Sequence, residues 1–445
     1  MLTISGKRHG GYCDGATRRS FMKIGAMGIA GLALPDLFRM ESLARAADAA
    51  GAAAAAPPVG TRPKGIINIY LAGGPPQTDM FDLKPGAPSE YRGEFNAIKT
   101  NVAGMEVSEL MPRLAKVADK FSVVRSIVGS VDKHSSIHTQ TGWDEDELKA
   151  VGGHPSLGAV VSKLQGSHGG APPFVSMMGM VTPGFIGPAH GPFSPEGQGR
   201  ENLTLRRIKA DRLQSRTELL ASLDGLKRDV DSSGAMEAMD SFTQRAVEVV
   251  TSGRVADALD LEKEKPEVRE RYTGGAGDMR DAAQNILMAR RLIEAGVRAV
   301  SLTFGGWDTH SDNFNQLRRQ LPPLDAALAA LLLDLDERGM SNDVTVVMWG
   351  EFGRTPRVNS GAGRDHWPRV MQAFIAGGGM KNGQVVGATD RYGGEAADRP
   401  VHLREMFATL YHNMGIDAKA TTITDPAGRP QYLVDGYDPI KELVA

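Results

Sequence analysis

Residues 279–310, MRDAAQNILMARRLIEAGVRAVSLTFGGWDTH, carry the pattern that decides the fold. Ala283, Ile286, Leu287, Arg290 and Ile293 recur at helical spacing, so Met279 to Ala295 reads as a helix, and Gly296 sits where a helix stops. Val297 to Phe304 then reads as a strand, and Gly305-Gly306-Trp307-Asp308-Thr309-His310 leaves its end as a loop. The same alternation continues downstream. Leu324 to Arg338 is a second periodic helix, with Pro322 and Pro323 at its start and Gly339 beyond its end. Val344 to Trp349 is the next strand, and Met371 to Ala376 reads as another. Upstream, the apolar run from Gly65 to Leu71 fits a buried strand that closes at Gly73-Gly74, and Phe121 to Val128 fits a second. Strand and helix in alternation predict an α/β fold, a central mostly parallel sheet sandwiched by helices. Residues 195–275 are polar, charged and weakly helical with no clear strand, and read as a helical insertion serving as a cap or an oligomer contact.

The chain has 445 residues, long enough for one large α/β domain or two smaller ones. Its formal net charge of −2 leaves no electrostatic footprint for nucleic acid or an anionic membrane. At the N-terminus, Thr17-Arg18-Arg19-Ser20-Phe21-Met22-Lys23 matches the twin-arginine export pattern. The apolar run from Ile24 to Leu34 is too short to span a bilayer, and Ala44-Arg45-Ala46 offers a small-x-small cleavage site. Residues 1–46 are therefore expected to be a signal handled by the twin-arginine translocation machinery, residues 47–63 a disordered linker, and residues 64–445 the α/β domain. The mature protein is expected in the periplasm or otherwise exported, with no stable membrane span after cleavage. The single cysteine, Cys13, falls in the removed segment. Carboxylates and imidazoles are then the available metal ligands, a set that leans toward hard or borderline ions.

In an open α/β sheet, ligands bind beyond the carboxyl ends of the strands. Several segments put chemistry there. Gly73-Gly74 turns the chain ahead of Asp79 and Asp82, which read either as site carboxylates or as turn caps. Asp308 and His310 can reach one centre from an extended loop, or simply bond each other. Glu351 follows the next strand as a candidate metal ligand, with Arg354 to hold an anion by a forked hydrogen bond or to pair with Glu351. Asp365-His366, between Gly and Pro, sits in a fixed loop, with His366 as ligand and Asp365 as co-ligand or orienter. His134 and His138 are four residues apart, the spacing of a shared helix face, and suit a metal pair, a substrate-facing pair or a structural one. His154, His168, His190, His402 and His412 have no supporting context.

Taken in order, the twin-arginine signal, GGPPQTDMFDLKP, HSSIHTQTGW, GGWDTH, EFGRTP and GRDHWP resemble the bacterial domain-of-unknown-function fifteen-oh-one family, a relative of the alkaline phosphatase and sulfatase superfamily. The resemblance covers nearly the whole expected mature chain. It implies an alkaline-phosphatase-like sheet with a centre of one or two divalent metal ions (Zn, Ca, Mg or Mn) at the strand carboxyl ends, acting on phosphate or sulfate esters. By that resemblance Asp79 or Asp82 stands for the first-strand metal aspartate, and Asp308 with His310 for the Asp/His ligand segment. Glu351 stands for an acidic ligand, and His366 with Asp365 for the late histidine ligand. Arg354, His134 and His138 would face the anionic group of a small-molecule or polysaccharide ester. One departure stands out: the nucleophile is expected nine residues before a Thr-Gly pair, and counting back from Thr141 lands on Asp132. Asp132 thus occupies the catalytic register without being Ser, Thr or Cys. Two readings follow: an exported metal-dependent ester hydrolase, or a non-catalytic envelope binding or assembly protein that keeps the fold.

Overall fold

The computed structural model describes residues 63–179, 181–195 and 252–444. The expected signal, the lead-in up to residue 62 and residues 196–251 of the expected insertion lie outside the described residues.

Eight strands build the central sheet: β1 (Gly65–Tyr70), β2 (Phe121–Val128), β3 (Phe174–Met177), β4 (Ala299–Thr303), β5 (Val344–Trp349), β6 (Met371–Gly377), β7 (Val385–Val386) and β8 (Val401–His402). Their order is β7-β2-β6-β5-β1-β4-β3, with β8 also pairing β2. β1 pairs in parallel with β4 and β5, β3 with β4, and β7 and β8 with β2. β6 alone runs the other way, antiparallel to both β5 and β2. The sheet is therefore mixed and mostly parallel, and every strand except β6 ends at the same edge.

Alternation along the strands makes two cores. Ile67, Ile69, Val300, Leu302, Val346 and Met348 face one side, under the helices α2 (Arg280–Glu294) and α3 (Asn313–Glu337). Ile66, Val347, Trp349, Ala373 and Ile375 face the other, under α1 (Leu157–Gln165) and α4 (Leu403–Asn413). Burying both faces is what a mostly parallel sheet requires. Among the described residues of the expected insertion, Arg254–Leu259 and Pro266–Thr273 are short helices packed on the α2–α3 side.

Helix α3 corrects one boundary. It begins at Asn313, so Pro322 and Pro323 lie inside it and not at its start. Phe314, Leu317, Leu321, Leu324, Leu328, Leu331 and Leu335 are all buried at alternating three- and four-residue steps. That unbroken apolar stripe carries the helix through two residues that would otherwise break it.

Midway along α3, Asp325 is 2% exposed and accepts hydrogen bonds from the backbone N–H of Leu114 at 2.7 Å and Arg113 at 3.0 Å. Burial pushes its carboxyl up to about 6, against the opposing pull of those N–H groups. A value raised in the folded state means a contribution that is full below the ordinary 3.8 and lost as pH rises through about 6. Urea unfolding of the wild type and of Asp325→Asn across that window is expected to show the wild type losing ground, by on the order of 2 kcal/mol. A stability difference independent of pH between 4 and 6 would contradict this assignment.

Candidate metal centre

The common edge collects the expected segments. β1 runs into Gly73-Gly74, β2 into Asp132 and His134, β4 into Asp308 and His310, and β5 into Glu351. Because β6 is reversed, the residues that precede it reach the same edge, and these include Asp365 and His366. A short antiparallel pairing of His366–Trp367 with Gly353–Arg354 fixes that approach.

Four side chains converge there. His134, Asp308, His310 and His366 each offer a donor atom, and these atoms all lie within 4.8 Å of one another. His310 Nε2 is 3.1 Å from His366 Nε2 and 3.1 Å from Asp308 Oδ1. His366 Nε2 is 3.5 Å from Asp308 Oδ1, and His134 Nε2 is 3.4 Å from Asp308 Oδ2. Donors about 2.0–2.1 Å from a tetrahedral zinc ion stand about 3.3 Å apart, so the four spacings given are compatible with a coordination shell. Three imidazoles and one carboxylate suit a borderline ion such as zinc better than calcium or magnesium, which prefer all-oxygen shells. The cluster opens to solvent on one side: Asp308 is 48% and His310 47% exposed at the side chain, with His366 deeper at 21%.

Each imidazole turns its second nitrogen to its own carboxylate. His134 Nδ1 lies 3.0 Å from Glu351 Oε1, His310 Nδ1 2.7 Å from Asp365 Oδ1, and His366 Nδ1 2.7 Å from Asp132 Oδ1. Such pairs fix ring orientation and leave Nε2 free to ligate. Two rings also pack on Phe352, with centroids at 5.2 Å for His134 and 4.4 Å for His366.

The carboxylates differ in how firmly they are held. Glu351 is buried and accepts from Gly73 N at 2.8 Å and Gly74 N at 3.2 Å. Both N–H groups point inward because the two glycines take positive φ, 104° and 75°. A Cβ on Gly73 would sit 2.5 Å from Asp308 N, so only glycine lets the turn and the Asp308 loop approach this closely. Tyr70 also bonds Glu351; burial first, then that carboxylate, hold its phenol far up in the neutral form. Asp365 is fastened by Asn359, and its hydrogen bond with His310, against a smaller opposing burial effect, keeps its carboxyl below the usual range. Asp132 is the most exposed of the three. Partial burial opposes ionisation of Asp308, but the Arg354 guanidinium, with His134 and His310, outweighs it and holds the carboxyl low.

Several of the expected site residues lie in other surroundings. Asp79 is buried away from the cluster and held by Arg364 in a forked pair, Nε to Oδ2 at 2.7 Å and Nη2 to Oδ1 at 2.9 Å, with Asn313 Nδ2 at 2.9 Å. Asp82 is buried with Lys84 at 2.9 Å, Arg125 at 3.8 Å and the Thr389 hydroxyl. Neither aspartate belongs to the one metal-type cluster found among the described residues. Glu351 stands behind His134 and not in the donor set. Arg354 is fully buried, with Nε on Gly74 O at 2.9 Å, Nη1 on Arg364 O at 2.9 Å, and Nη2 on Gly73 O and Asp308 Oδ1. Its guanidinium braces the glycine turn against Asp308 and faces no open space where an anion could dock. His138 is buried, and that burial lowers its pKa; it does not join His134 in the cluster. Asp365 backs His310 and not its neighbour His366. Asp132 is an orienting carboxylate for His366.

Four contributors had no role in the sequence reading: Tyr70, Phe352, Asn359 and Arg364. Phe352 and Arg364 stand inside EFGRTP and GRDHWP, but nothing in those strings distinguishes a ring that floors the site or an arginine that neutralises Asp79 from loop residues.

A family model described as Protein of unknown function (DUF1501) matches residues 63–444. No curated protein sequence matches the chain. Among solved structures, the lipoteichoic acid synthase LtaP of Listeria monocytogenes is similar at 10% identity and TM-score 0.34, over 79% of this chain and 72% of that one. The PsFucS1 sulfatase of Pseudoalteromonas sp. is similar at 11% identity and TM-score 0.36, over 85% and 71%. The C-terminal periplasmic domain of EcEptC from Escherichia coli, in complex with Zn, is similar at 10% identity and TM-score 0.34, over 85% of each.

Proposed function

The chain belongs to the family described as Protein of unknown function (DUF1501), and from that premise we propose that it is an exported, metal-dependent hydrolase of phosphate or sulfate esters. The observation that carries the proposal is the set of His134, His310, His366 and Asp308 donors at coordination spacing, each ring backed by its own carboxylate. Small-molecule or polysaccharide esters are the substrate class that the motif order suggests. The twin-arginine pattern at Arg18-Arg19 supports export to the periplasm.

His134, Asp308, His310 and His366 would hold a divalent ion, which would supply Lewis acidity toward an ester oxygen and a water molecule. The chain's own residues do the rest. Glu351, Asp365 and Asp132 hold the three rings with Nε2 directed inward. Arg354 holds Asp308 against the Gly73-Gly74 turn. Ser130 Oγ donates to Pro368 O at 2.7 Å and Asp132 is bonded to His366, so neither is poised as a nucleophile at the cluster. Hydrolysis in this reading is a direct attack by water, without a covalent enzyme intermediate.

A second reading keeps the metal and drops the turnover. It is favoured by the engagement of Arg354, whose guanidinium is taken up by Gly74, Arg364 and Asp308 and is not free to grip an anion. One preparation separates the two. Mature protein purified from its exported location without chelators is expected to carry a single equivalent of divalent metal, largely lost in His366→Ala, and to hydrolyse an ester that chelation protects. Full turnover in metal-free protein would sink the hydrolase reading. Metal-loaded protein inert to a broad phosphate and sulfate ester panel would establish the binding protein instead.

A further inference from the structure

Asn359 is the residue on which the His310 arm of the cluster turns. Its Nδ2 donates to His310 O at 2.9 Å and to both Asp365 oxygens at 3.3 Å. Its Oδ1 accepts from Gly361 N and Gly363 N, each at 2.9 Å. One side chain therefore folds the 359–365 loop upon itself, ties that loop to the backbone of His310, and aims the carboxylate that orients the same histidine. The approach is close: a Cβ on Gly363 would lie 2.1 Å from the His310 carbonyl. The His134 arm has no need of such a device, because Glu351 is buried and pinned by the glycine turn. Asp365 is half-exposed, and without a partner it would be free to rotate toward water.

We propose that Asn359 is a positioning residue that sets metal affinity through Asp365 and His310, touching neither metal nor substrate. The proposal rests on the metal reading of the cluster. The amide has a division of labour: its oxygen builds the loop, and its nitrogen aims Asp365. Asn359→Asp keeps acceptors for Gly361 and Gly363, loses the donor and sets a like charge against Asp365. Asn359→Ala removes both halves.

The test is competition of wild type, Asn359→Asp, Asp365→Asn and the double variant with a chelator for Zn²⁺. The absorption spectrum of the Co²⁺-loaded forms and the melting temperature of the metal-free forms are recorded alongside. Removing the outer partner of a metal-bound histidine typically weakens binding about 10–100-fold, and Asn359→Asp is expected in that range with the metal-free protein still folded. The double variant is expected to bind no more weakly than the worse single one, because both changes act on one ring. An altered Co²⁺ spectrum in Asn359→Asp would mark a moved ligand, which general loosening of the loop would not produce. Wild-type affinity and spectrum in Asn359→Asp, or fully additive losses in the double variant, overturn the proposal. Wild type that binds neither ion overturns the metal reading beneath it.

Discussion

Asparagine in place of Asp79 is expected to destabilise the protein by about 3–5 kcal/mol while leaving its metal content unchanged, because the change breaks one side of a buried ion pair. Arg364 is fully buried and donates from two nitrogens to the Asp79 carboxylate; its remaining bonds go to the carbonyls of Tyr91, Thr355 and Pro356. Removing the negative partner leaves a buried guanidinium with carbonyl dipoles alone around it. Equilibrium denaturation and elemental analysis of the same preparation decide the matter. Metal lost from a protein of undiminished stability would return Asp79 to the ligand role that the motif order suggests.

Glu351→Ala is expected to damage both properties at once. The carboxylate is the acceptor for Gly73 N, Gly74 N, Tyr70 and His134. Each buried donor left without an acceptor costs about 1–3 kcal/mol, and loss of the orienting carboxylate weakens metal binding about 10–100-fold. The expected result is a much lower urea midpoint together with a raised metal dissociation constant. Complete loss of metal with native stability would mean instead that Glu351 ligates directly.

The strands and long helices were legible because period and punctuation agree. β2 and β5 have the ends that their apolar runs suggest, and α2 departs by a residue at each end. α3 was cut short because two prolines outweigh local propensity, whereas tertiary burial of a seven-point stripe outweighs the prolines. The candidate site was legible at the level of segments: HSSIHTQTGW, GGWDTH and GRDHWP do meet at one edge. Roles within segments were not, because a carboxylate looks the same in sequence whether it faces an open cluster, a histidine's far nitrogen or a buried arginine. Asp308, Asp365 and Asp79 take those three fates. What separates them is the partner across the sheet edge, and Arg364 lies 285 positions from Asp79. His134 and His138 illustrate the same limit. Their spacing suggested a shared helix face, but the helical turn starts at Ile137, so His134 precedes it and is directed separately.

The reversed strand β6 lies between β2 and β5 and is what joins the His134 half of the sheet to the half that carries Asp308 and His310. It is also among the last core strands to be synthesised. The four donors belong to residues 134, 308, 310 and 366, so the cluster cannot be complete before residue 366, just ahead of β6, has emerged. In the proposed metal reading, the complete donor set is therefore not available as an early template. Folding through such distant contacts is slow, and in that reading an ion arriving before residue 366 would find at most three of the four donors. In the proposed metal reading, possession of a fully coordinated ion would report that the chain has folded at least through residue 366.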